Sequence, residues 1–143
     1  MSLHSRGAEA KVLRVLRDYG LTGAIFHWFS GSPTDIDRIA EAGHYFSINP
    51  QMTFSAKGRA IIERIPVDRV LTETDGPYSK VRGAPAQPWD VAIVENHLAT
   101  TWGRSREDVA AQIWTNFRRM IEPVRQQGGV AGDFSGPSSL SPQ

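Results

Sequence analysis

Cysteine is absent from this sequence of 143 residues, and that gap removes disulfides, thiolate catalysis and cysteine-bound zinc together. Any metal must then be held by imidazoles and carboxylates. An excess of charge is also lacking. Sixteen Lys and Arg stand against 15 Asp and Glu, a net charge of +1, so electrostatics alone neither call for a nucleic-acid partner nor exclude one. No run approaches the ~20 apolar residues that a membrane span needs. The first residues carry His4, Arg6 and Glu9 where a secretory leader would be apolar. These absences lead to the expectation of a soluble, cytoplasmic protein with no membrane partner. No solenoid-type repeat is present. What the chain does have is 40% hydrophobic residues over a length typical of one domain.

The stretch around which the chain is organised is Val70-Leu71-Thr72-Glu73-Thr74-Asp75-Gly76-Pro77-Tyr78. An apolar run leads into two carboxylates, and a Gly-Pro pair then stops regular structure, so Glu73 and Asp75 fall where a strand emerges into a loop. Before it, Val12, Val15, Leu16 and Tyr19 predict the apolar face of a helix over 8–19, stopped by Gly20. The run Gly23 to Phe29, interrupted by His27, suits a strand buried on both faces. Ser32, Pro33 and Asp35 open a helix that buries Ile36, Ile39 and Ala40. Tyr45 to Ile48 is the next strand, and Ser55 caps a helix carrying Ile61, Ile62 and Ile65. After a Gly-, Ala- and Pro-rich loop, helices follow over 89–102, with Val91, Val94, Leu98 and Trp102 on one side, and from Ser105, with Val109, Ile113, Phe117, Met120 and Ile121. The alternation of strand and helix predicts an α/β fold with four parallel strands and outer helices over residues 1–125. Residues 126–143, poor in apolar side chains, read as a disordered tail.

Three predicted strands end in a group able to bind a cation: His4, His27 and Asp75. Parallel strands would bring all three to one rim. Imidazole nitrogen and carboxylate oxygen together suit Zn²⁺, Mn²⁺ or Mg²⁺ sites that activate water or polarise a phosphoryl oxygen. Each residue also has a plainer reading. A lone His in an apolar run is commonly a hydrogen-bonded core residue, a His near the terminus is commonly solvated, and Asp75 suits a turn cap. His44 and His97 read as structural or solvated.

These motifs resemble those of a known family. Ile25-Phe26-His27-Trp28-Phe29-Ser30-Gly31 is similar to the H-x-F-[ST]-G motif of the TatD-related deoxyribonucleases, and Leu71 to Tyr78 is similar to their L-x-E-T-D-x-P-[YF] motif. Leu3-His4-Ser5-Arg6-Gly7-Ala8 resembles the preceding H-x-R-x-A segment, and Asn116-Phe117-Arg118-Arg119 the closing N-x-x-R helix. Trp28, the strand Phe46 to Asn49 and the Thr-Glu-Thr-Asp-Gly-Pro wording look closest to the TatD-like member of the Qat anti-phage defence group. The resemblance implies a (β/α)₈ hydrolase of DNA phosphodiesters dependent on divalent metal ions (Mg, Mn or Zn). It places His4, His27 and Asp75 at the metal and makes Asp75 and Glu73 the catalytic carboxylates, Glu73 by orienting a ligand or water. Ser30 and Gly31 could offer donors to a substrate phosphate.

A TIM-type barrel takes roughly 250 residues, and this chain matches only its last four strand-helix units. The family's opening D-x-H-x-H motif and the Gly-Glu strand with its bridging Glu are not found; no H-x-H occurs. The expectation is therefore the C-terminal half of a (β/α)₈ barrel, inactive by itself. It is either a fragment of a longer product, the partner of a separate N-terminal half, or one of two copies that close on each other. A non-catalytic half-barrel module in a defence complex, with defence proteins as partners, and an amidohydrolase of a small molecule are the alternative functions.

Overall fold

The computed structural model describes residues 1–127, and the side chains of residues 1–122. Most of the tail expected over 126–143 lies outside the described residues. The elements follow in the order β1 (Ser2–Leu3), α1 (Glu9–Asp18), β2 (Ile25–His27), α2 (Pro33–Glu41), β3 (Tyr45–Ile48), α3 (Pro50–Phe54) and α4 (Ala56–Arg64). Then come β4 (Val70–Thr72), a short pair β5 (Lys80–Val81) and β6 (Ala84–Pro85), α5 (Val91–Trp102) and α6 (Arg106–Gln127).

The four main strands lie in the sequential order β1-β2-β3-β4, every pair parallel. Right-handed crossovers that never reverse direction put α1 to α5 on one face of the sheet and curl it, as in a barrel; an open doubly wound sheet would need a reversal. The registers fix which side chains share each face. Ser2 pairs with Ile25, His27 with Ser47 and Ser47 with Leu71. Because side chains alternate, Ser2, His4, Ile25, His27, Tyr45, Ser47, Leu71 and Glu73 look inward. Phe26, Phe46, Ile48 and Val70 look outward and join Leu16, Ile36, Ile39, Ile62, Val94 and Leu98 in the core. The Gly23–Phe29 run is accordingly not buried on both faces. Phe26 is fully enclosed, whereas Ile25 and His27 stay partly open on the inner side.

Local chemistry explains the helix starts. At α2 the Ser32 hydroxyl accepts from the Asp35 N–H (3.2 Å) while the Asp35 carboxylate accepts from the Ser32 N–H (3.1 Å), a reciprocal capping box with Pro33 at the first helical position. Ser55 caps α4 by accepting from the Gly58 N–H at 3.0 Å. The sequence reading of α1 is corrected. Its buried side is Glu9, Leu13 and Leu16, while Val15 and Tyr19 face solvent. Glu9 is drawn in because its carboxylate accepts from the Ser5 hydroxyl (3.3 Å) and the Gly7 N–H (2.9 Å), which closes the turn between β1 and the helix.

The loop after β4 holds structure that its composition conceals. Arg82 and Gly83 both have positive φ and form a two-residue turn joining the antiparallel β5 and β6. Helix α6 packs on α5 and β4, and its Met120 carbonyl comes close to Gly23, just ahead of β2. The helix thus reaches across the N-terminal ends of the strands. Its expected stripe holds at Val109 but not at Phe117, which is exposed and stacks on exposed Trp114 at 5.8 Å.

Candidate active site at the strand ends

Strands β1, β2 and β4 deliver His4, His27 and the Glu73–Asp75 pair to one rim. The rings of His4 and His27 meet edge to face with centroids 4.4 Å apart. His27 lies between two carboxylates: Nδ1 against Glu73 Oε2, and Nε2 3.0 Å from Asp75 Oδ1. All three of these side chains are about 14–15% exposed. Asp75 occupies a left-handed backbone conformation (φ 54°) at the turn, an arrangement that Asp tolerates better than most residues and that aims its carboxylate back at His27.

Glu73 is the hub. Its Oε1 accepts from the Trp28 N–H (3.2 Å) and the Asn49 side-chain amide (3.4 Å), and its Oε2 from the Ser47 hydroxyl (2.5 Å). Donors thus surround both oxygens, so Glu73 is an acceptor and His27 Nδ1 carries the proton that points at it. This leaves the Nε2 lone pair facing Asp75 Oδ1, two acceptors 3.0 Å apart. Two acceptors at this distance need a hydrogen or a cation between them.

A divalent ion fits that demand. Ligands near 2.1 Å from one metal lie roughly 3.0–3.4 Å from each other, and a ligating imidazole characteristically donates its other N–H to a carboxylate, as His27 does to Glu73. His27 and Asp75 are the residues that would hold the ion, with His4 alongside. Among the described residues, however, no three His, Asp or Glu side chains converge closely enough to enclose one. The donor set that this chain presents is incomplete.

His4, Arg6, Trp28, Asp75 and Tyr78 line an open cavity of about 650 Å³ above the pair. Ser30 and Gly31, expected to contact substrate, are not among its lining residues. A Cβ at Gly31 would come within 2.6 Å of the Phe29 ring, so this glycine is required for close packing of the loop. Ser47 and Asn49 were missed by the sequence reading. Their only sequence signal is polarity at alternate positions of an otherwise apolar strand. Asn49 also caps α3 by accepting from the Met52 N–H at 3.2 Å, so one side chain joins helix and site. His44 and His97 are structural, as expected. His44 Nδ1 accepts from the Ala24 N–H at 3.2 Å, and burial, reinforced by the Arg69 charge, lowers its pKa. Burial likewise lowers the pKa of His97.

Sequential parallel strands with helices packed outside them, and a His–carboxylate cluster at their C-terminal ends, define an α/β protein of the barrel type with its polar site at the strand-end rim. Comparison with known proteins makes the assignment specific: residues 1–122 match the family model described as TatD related DNase, and the chain belongs to that family. It is 27% identical over 129 residues to human Deoxyribonuclease TATDN3, covering 87% of this chain and 46% of the relative. It is 31% identical over 131 residues to the 3'-5' ssDNA/RNA exonuclease TatD of Pantoea vagans, covering 83% and 50%. The crystal structure of the TatD homolog YJJV from Escherichia coli superposes with a TM-score of 0.72 at 26% identity, over 83% of this chain and 48% of that one. The chain spans about half the length of the curated relatives it matches.

Proposed function

We propose that this chain is the C-terminal half of a TatD-type (β/α)₈ barrel and contributes to metal-dependent hydrolysis of DNA phosphodiester bonds. The observation that carries the reading is the pair His27 Nε2 and Asp75 Oδ1, held acceptor to acceptor by Glu73. A divalent ion bound there would lower the pKa of a water and neutralise charge on the phosphoryl oxygens. The chain's own residues orient that chemistry. Glu73 fixes the His27 tautomer, Ser47, Asn49 and the Trp28 N–H fix Glu73, and Asp75 faces the cavity where the phosphate would lie.

The remaining ligands are assigned to a complementary N-terminal half, because the relatives are about twice as long. That half would pair with the open edges of β1 and β4 and fill the apolar cavity of about 510 Å³ between the inner sheet face and α6. Two features support this docking: Ile25 and Leu71 look into the cavity, and Trp114 and Phe117 stand exposed at it. Trp28 and the Thr72–Pro77 wording support placement with the TatD-like member of the Qat anti-phage group, with defence proteins as partners and a cytoplasmic location. No described helix is long and apolar enough to cross a membrane.

A second reading, a non-catalytic assembly module, draws on the lack of a three-ligand cluster among the described residues. Calorimetric titration with Mn²⁺ or Zn²⁺ separates the two. Catalytic ancestry of the site predicts metal binding that His27→Ala abolishes and that Glu73→Gln weakens by about 10–100-fold. It also predicts cleavage of single-stranded DNA once the N-terminal half is supplied. Metal binding indifferent to His27→Ala, with no cleavage after reconstitution, would establish the module.

A further inference from the structure

Among the described residues, three other than glycine have positive φ: Trp28 (43°), Asp75 (54°) and Arg82 (52°). Two of them have local reasons. Arg82 sits in the hairpin turn between β5 and β6, and Asp is a residue that the left-handed region tolerates. Trp28 has no such reason. A bulky aromatic residue is a steric outlier there, and strain of this kind persists only where the surroundings over-determine it.

The residues on either side of Trp28 supply the cause. An extended chain through Trp28 would put Phe29 on the inner face of the sheet beside His27. Phe29 lies instead in the outer core, 2% exposed, with its ring centroid 6.4 Å from that of Phe26 and 5.3 Å from that of Phe46. The left-handed residue breaks the alternation, so His27 and Phe29 leave the backbone on opposite sides. It also aims the Trp28 N–H at Glu73 Oε1, 3.2 Å away at the end of β4, two strands across the sheet. The other donor to Oε1, the Asn49 amide, is longer at 3.4 Å, and its oxygen is committed to the Met52 N–H. Without the Trp28 N–H the Glu73 carboxylate is free to turn, and His27 Nδ1 loses the acceptor that fixes its ring. The indole packs partly against the core and walls the rim cavity, but it makes no part of this link.

We propose that the left-handed kink at Trp28 is a positioning device: its N–H holds Glu73, and through Glu73 the His27 ring, so that position 28 acts on the site by its backbone. Residues that accept positive φ then serve the site better at position 28 than apolar residues closer to Trp in size. The calorimetric arm of the test rests on the reading of His27 and Asp75 as metal ligands; the exchange arm does not.

Two variants separate backbone from side chain. Trp28→Gly loses the indole and accepts positive φ freely, whereas Trp28→Val keeps apolar bulk and belongs to the β-branched class that tolerates positive φ least. Hydrogen exchange at the residue 28 amide, read by NMR in the metal-free chain, stays slow in Trp28→Gly and becomes about tenfold faster in Trp28→Val. Glu73→Ala, which removes the acceptor, speeds exchange at Trp28 in the same way. Calorimetric titration with Mn²⁺ gives Trp28→Gly an affinity about 10–100-fold above that of Trp28→Val, the range lost with a group that orients a metal ligand. A role confined to packing predicts the reverse order, because valine fills more of the space that the indole leaves. Circular dichroism verifies folding; should Trp28→Val fail to fold, Trp28→Asn and Trp28→Leu supply the same contrast, since Asn accepts the left-handed region and Leu resists it. The proposal is overturned if Trp28→Val keeps the slow amide, or if Trp28→Gly is no better than Trp28→Val in either measurement. A chain with the expected exchange pattern that binds no Mn²⁺ keeps the kink as the holder of Glu73 and loses the metal reading. Mn²⁺ binding that His27→Ala abolishes, but that is equal in Trp28→Gly and Trp28→Val, does the reverse.

Discussion

Four donors converge on the Glu73 carboxylate, and that convergence determines what His27 can do. Removing the Nδ1 proton from consideration leaves Nε2 as a lone pair aimed at Asp75, and a cation becomes the natural occupant of the gap. His27, Glu73 and Asp75 were legible along the chain because each ends or follows an apolar strand run. Ser47 and Asn49 were not, because a serine and an asparagine in sequence say nothing about which neighbouring strand they will face. At this scale His44 provides a test independent of metal. Its native pKa is lowered from 6.5 by burial and by Arg69. The unfolded chain therefore takes up a proton near pH 6.5 that the native state resists, unfolding gains protons, and stability present above that pH falls as the pH drops below it. His97 contributes in the same direction. Urea unfolding between pH 7.5 and 5.5 will show the decline, and His44→Asn, which keeps an acceptor for the Ala24 N–H, will flatten it.

At the scale of the element, α6 is tied down by polar contacts as much as by its apolar stripe. Asn116, fully buried, donates from its amide to the carbonyls of Val67 and Val70, each at 2.8 Å, and its oxygen accepts from Gln112 at 2.9 Å. Arg119 one turn on reaches Asp68 at 3.4 Å. The Asn116 and Arg119 pair that resembles a family motif thus anchors the helix to the start of β4, and has no part in the rim. Asn116→Ala leaves the buried Val70 carbonyl without this donor and is expected to cost about 1–3 kcal/mol. Ser32→Ala, which removes only a solvated cap, should cost about 1 kcal/mol. Urea denaturation of the two variants measures the difference. Helix boundaries were largely readable from caps and glycines. The buried side of α1 was not, because Val12, Leu13, Val15, Leu16 and Tyr19 supply two overlapping stripes, and the Glu9 turn selects the one through Leu13.

For the molecule as a whole, the strand edges and the apolar cavity between the sheet and α6 dominate. An edge strand with exposed aromatics nearby is an invitation to pairing. Trp114 is 60% and Phe117 39% exposed, so Trp114→Asp with Phe117→Asp is expected to change the stability of the isolated chain little and, if the proposed N-terminal half docks there, to abolish that assembly. Light scattering after size-exclusion chromatography reads the complex; a second copy seated there would appear instead as a dimer that the same variant dissolves. The strand-helix alternation, the caps and the placing of His4, His27 and Asp75 at strand ends are properties of the sequence alone, because hydrophobic period and turn chemistry act over a few residues. Which faces those side chains share, the gathering of Ser47, Asn49 and the Trp28 N–H around one carboxylate, and the left-handed backbone at Trp28 were decided only by the tertiary structure. Strand register and the packing of distant loops set them, through contacts between residues far apart along the chain.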